Sequence, residues 1–121
     1  PGEREKLRFI AIVHDACKHE VDESRPRVGD NNHAVLARRL AERFTDDRDV
    51  LEVVELHDEG YNAWRAFSQG RERRALERVR GLIERLGPAL PLFWAFFRAD
   101  NAVPGKDQEP TAWFERMMNG S

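Results

Sequence analysis

Cysteine occurs once, at Cys17, so no internal disulfide can form, and the expected setting is a reducing cytoplasm. Lysine is scarce, three residues against seventeen arginines, yet no sign of charge dominates. Twenty basic and 22 acidic residues leave a net charge of −2, which excludes a simple polybasic nucleic-acid binder. Long hydrophobic runs are missing too. The longest, at 9–13 and 92–97, fall far short of the roughly 18–20 residues that cross a bilayer, so no membrane partner is expected. Near the start, Glu3 and Glu5 break up the basic residues, unlike the opening of a signal peptide. No stretch alternates with period two long enough to make a strand, and no internal repeat is present. What remains is one domain's worth of chain, 121 residues, with eleven aromatics spread along it to build a core.

Helical periodicity fills most of that length. Residues 4–17 carry Leu7, Ile10, Ala11 and Val13 on one face. Residues 19–32 are polar and hold Pro26 and Gly29, the signature of a long and often functional loop. Asn31 or Asn32 can cap a helix expected to reach Phe44, with Val35, Leu36, Leu40 and Phe44 inward. The acids of 45–49 suit the start of a third helix through Leu56, which stops near Gly60. An aromatic helix over 61–67 is followed by an amphipathic one over 71–86, on Leu76, Val79, Leu82, Ile83 and Leu86, ended by Gly87-Pro88. Pro91 opens a helix over 92–99, and Pro110 a last one through Trp113 and Met117. The expectation is an all-α bundle of five to seven helices. Between 71 and 85, six arginines face three glutamates; a salt-bridged surface is preferred there over a nucleic-acid face.

Histidine and aspartate fall at the ends of these helices. His14-Asp15 ends the first, His33 opens the second, His57-Asp58 ends the third and Asp100 ends the aromatic one. Bundle helices that end together converge on one pocket, and imidazole with carboxylate suits a divalent transition ion. Each residue also has a plainer reading, as a packed histidine or a solvated cap. Acids at helix C-termini oppose the dipole, however, and so call for a compensating cation.

The sequence His14-Asp15-Ala16-Cys17-Lys18 resembles the HD-domain superfamily of metal-dependent phosphohydrolases. His33, His57 and Asp100 follow in the order of that family's dinuclear members, and the likeness spans about residues 7–103. It implies an HD-like helical bundle, one or two divalent ions (Mn, Fe, Co, Ni or Zn), and hydrolysis of a phosphomonoester or phosphodiester by a metal-activated water. The implied substrate is small and phosphorylated, a nucleotide being the leading case. His14, Asp15 and Asp100 would hold one ion, and Asp15 would bridge to a second on His33 and His57. Lys18 would serve as a phosphate contact or proton donor, Arg25 and Arg27 would clamp a second phosphate, and Tyr61 with Trp64 would form a stacking wall. The family's first ligand is a histidine on an earlier helix. None of the thirteen residues before His14 is one, so an upstream helix is expected to supply it. The first helix should then bare an apolar face, covered by a second copy in a homodimer or by another chain.

Two other readings keep the fold. A di-iron pair at the same positions would make an oxygenase, and a degenerate site would make a regulatory or interaction module. Gly60-Tyr61 is followed by Asn62 and so lacks the proline of the cyclic-dinucleotide phosphodiesterase signature.

Overall fold

The computed structural model describes residues 2–16, 33–102, 105 and 107–120; Asp15 and His33 are placed by their backbone only. Among these are seven α-helices and no strand. They are α1 (Glu3–Ala16), α2 (His33–Ala41), α3 (Arg48–Leu56), α4 (Glu59–Ser68), α5 (Glu72–Leu86), α6 (Leu90–Asn101) and α7 (Glu109–Gly120), with a short 3₁₀ turn at Gly87–Ala89.

Helix α3 is the axis of the molecule. Val50, Leu51, Val53, Val54 and Leu56 are all buried, an apolar distribution on every side that only a central helix can satisfy. Its start is fixed by Asp47, whose carboxylate accepts from the amides of Asp49 (3.0 Å) and Val50 (3.3 Å) and pairs with Lys6 of α1 at 3.0 Å. Around it pack α1 through Ile10 and Val13, α5 through Ala75, Val79, Leu82 and Leu86, and α6 through Leu92, Phe93, Phe96 and Phe97. Trp113 and Phe114 of α7 complete one continuous core, in which Phe114 meets the rings of Phe93 and Phe97 at 5.6 and 5.4 Å.

Three details depart from the sequence pattern. Helix α2 ends at Ala41, not Phe44: residues 43 and 44 tighten into i→i+3 bonds as the chain turns toward the Asp47 cap. That turn throws Phe44 outward, 70% exposed, and the buried face of α2 is made by Ala34, Ala37 and Ala41. Leu76 is likewise exposed, because the buried stripe of α5 runs through Ala75 instead. Helix α6 runs two residues past Ala99, held by Asn101, whose buried amide donates to the Phe97 carbonyl at 2.8 Å. On α1, Ile12 points outward, 72% exposed.

Candidate metal centre

Two helix ends meet the flank of a third helix at one place. His14 lies in the last turn of α1, His57 caps the C-terminus of α3, and Phe96 of α6 closes the wall between them. The imidazoles of His14 and His57 stand edge to face with ring centres 5.0 Å apart; Phe96 lies 5.3 Å from the first and 6.3 Å from the second. His57 is 5% exposed.

Each ring is oriented by its own helix. His14 Nδ1 lies 2.7 Å from the Ala11 carbonyl, and His57 Nδ1 lies 2.7 Å from the Val54 carbonyl. A carbonyl oxygen only accepts, so Nδ1 carries the proton in both, and in the neutral ring Nε2 carries the lone pair. That tautomer is the one metal-ligating histidines adopt when a backbone carbonyl holds the other nitrogen. Two imidazoles on one tetrahedral ion, each nitrogen about 2.0–2.1 Å from it, hold their ring centres about 5 Å apart. The donor set and spacing of His14 and His57 therefore fit a divalent transition ion.

Asp58 adds a carboxylate, its Oδ1 3.4 Å from His57 Nε2. The sequence places Asp58 against the dipole at the end of α3. In the fold it also stands at the N-cap of α4, where the favourable dipole of the next helix offsets that cost. Asp58 lines a cleft of about 630 Å³ between α2, α4 and α5, with Glu55, Glu59, Glu77, Arg78 and Arg85 among its other walls. It was absent from the ligand set expected from sequence, although the repeated His-Asp pair at 57–58 was the signal for it.

The other expected site residues divide as follows. His33 is the first residue of α2, beside Ala34, which lines the cleft. Asp15 follows His14 on α1. Asp100 lies on α6 one turn beyond Phe96, on the same helical face. Tyr61 does not line the cleft; it is on another face of α4, 5.7 Å from Trp64 and beneath the Arg65 guanidinium. Lys18, Arg25 and Arg27 lie outside the described residues. Among the described residues no three His, Cys, Asp or Glu side chains converge as a group.

The all-α fold thus brings two backbone-oriented histidines together at converging helix ends. The HD-domain family model matches residues 1–87, and the chain belongs to that family. The family is that of metal-dependent phosphohydrolases, which bind divalent ions and act on phosphorylated substrates. The matched stretch includes His14, Asp15, His33 and His57 and stops short of Asp100. No curated protein and no solved structure matched the chain. Among the described residues no helix is long and apolar enough to cross a membrane.

Proposed function

We propose that this protein is a metal-dependent hydrolase of phosphate monoesters or diesters, with nucleotides as the leading substrates. The observation that carries the reading is the His14–His57 pair, 5.0 Å apart, with both Nδ1 protons given to backbone carbonyls. We assign His14 and His57 to a shared divalent ion, with Asp15 beside them, and His33 and Asp100 as further ligands of a one- or two-ion centre. Such a centre supplies Lewis acidity toward the phosphoryl oxygens and a water of lowered pKa. The chain's own groups do the rest. Asp58, 3.4 Å from His57 Nε2, holds the charge balance on the cleft side and is placed to accept a proton from a water there. Phe96 keeps solvent from the inner face of both rings. Lys18 is assigned to protonate the leaving oxygen, and Arg25 and Arg27 to hold the substrate's phosphate.

Elemental analysis of the full-length protein, with the upstream helix that is expected to supply the first histidine, followed by a panel of phosphate esters, tests this. The expected result is bound transition metal and ester hydrolysis, with both lost in Asp15→Ala while helix content stays near that of the parent. Full activity in Asp15→Ala overturns the assignment.

A further inference from the structure

The cleft does not stop at α4. Past Asn62 and Arg78, which border both spaces, it meets a second groove of about 320 Å³ between the end of α4 and the start of α5. Arg65, Arg71, Arg74 and Arg78 line it together with the amides of Asn62 and Gln69, and no carboxylate does. Among the described residues only Arg78 of the four forms an ion pair, with Glu59 at 3.4 Å. The salt-bridged surface expected for 71–85 forms in part: among the described residues, Arg78 and Arg85 of α5 make ion pairs, and the acids come from α3 and α4. Local helix chemistry is broken. The N-cap of α5 is Arg71, which makes no side-chain capping bond, where Ser, Thr, Asp or Asn is preferred.

Arg65, Arg71 and Arg74 repel each other around one concavity, and no carboxylate lining the groove offsets that repulsion. A phosphate group does so, and guanidinium is the side chain best matched to it. The neighbouring cleft is acidic on balance, with Glu55, Asp58, Glu59 and Glu77 on its walls against Arg78 and Arg85. A substrate lying through both meets Asp58, whose Oδ1 is 3.4 Å from His57 Nε2, at one end and a cationic pocket at the other. Asp58 and Arg65 are seven residues apart along α4, about 10 Å at 1.5 Å per residue.

We propose that the groove of Arg65, Arg71 and Arg74 binds a second phosphate group of the substrate, separate from the one hydrolysed. The substrate class is then a nucleotide bearing two separated phosphates, either a nucleoside bisphosphate or a short oligonucleotide. The word substrate rests on the hydrolytic reading above; the phosphate site rests on the arginines alone.

Two measurements separate these claims. The first is calorimetric titration of the full chain with inorganic tripolyphosphate in a chelator, so that no metal takes part. Binding is expected, weakened at least tenfold in Arg71→Gln/Arg74→Gln, with a salt dependence shallower by about the two contacts removed. Equal binding by parent and variant overturns the proposal. The second compares kcat/KM, with metal, for a nucleoside 5′-monophosphate, a nucleoside 3′,5′-bisphosphate and a 5′-phosphorylated trinucleotide. The parent should prefer one of the two-phosphate compounds, and which one identifies the source. That preference should fall about tenfold in the double variant. Ester hydrolysis with an unchanged preference refutes the groove and leaves the hydrolytic reading standing. Arginine-dependent tripolyphosphate binding without any hydrolysis supports the groove and removes the hydrolytic reading.

Discussion

Glu52 is the buried acid on which three helices depend. Its carboxylate, 8% exposed, pairs with Arg38 of α2 at 2.5 Å and Arg85 of α5 at 3.1 Å. Glu55, one turn on, repeats both contacts at 3.1 and 2.9 Å. Burial pushes the Glu52 carboxyl up, but the hydrogen bonds and charges of Arg38 and Arg85 outweigh it and hold the group below the usual carboxylate range. Asp47 is held low by Lys6, against a smaller opposing effect of burial, and by the amides it caps. A carboxylate with a lowered folded-state pKa contributes stability that is complete above its unfolded value, near 4, and fades as pH falls through the folded value. Acid unfolding should therefore set in below about pH 4, and Glu52→Gln should flatten that limb. At neutral pH the same substitution should cost about 2 kcal/mol, because two cations lose a desolvated partner while Glu55 remains. Thermal denaturation of both forms from pH 7 to pH 3 checks this. A parallel acid limb in the two forms would show that Glu52 is not the titrating group.

Among the helices, those with strong periodic signals were legible from the residues. The acids of 45–49 correctly announced the start of α3, and Gly87 the end of α5, where a φ of +50° suits glycine. Phe44 and Leu76 misled because each sits at helical spacing from true core residues, and only packing decides that smaller Ala41 and Ala75 are buried instead. His14 and His57 could be marked as members of one pocket, but on two bridged ions and not as adjacent rings. Their pairing depends on how α1 and α3 cross, which no local pattern encodes. Gly60 shows the same limit: α4 lies so close to α6 that an added Cβ would stand 3.2 Å from Phe97 and 3.3 Å from Phe93. Gly60→Val should therefore push α4 from α6 and cost about 1–3 kcal/mol, read as a lowered Tm. An unchanged Tm would mean that the two helices are loosely packed at this point.

Taken together, the helices bring the ends of α1 and α3 to the proposed centre. One core running from α1 to α7 fixes α1, α3 and α6 so that His14, His57 and Phe96 meet, and Asp58, next to His57, lines the cleft toward α4 and α5. Charge is sorted on the same plan: acids gather in the cleft and arginines in the groove beyond it, although the chain as a whole is nearly neutral. Because an ion binds the folded state, saturating metal should raise Tm in the parent and raise it far less in His57→Ala. The central claim is that His14 and His57 share one ion, and X-ray absorption of the zinc-loaded chain tests it most directly. The account predicts at least two imidazoles at about 2.0–2.1 Å from zinc, with one fewer in His14→Ala and one fewer in His57→Ala. A zinc environment that either substitution leaves unchanged would contradict it.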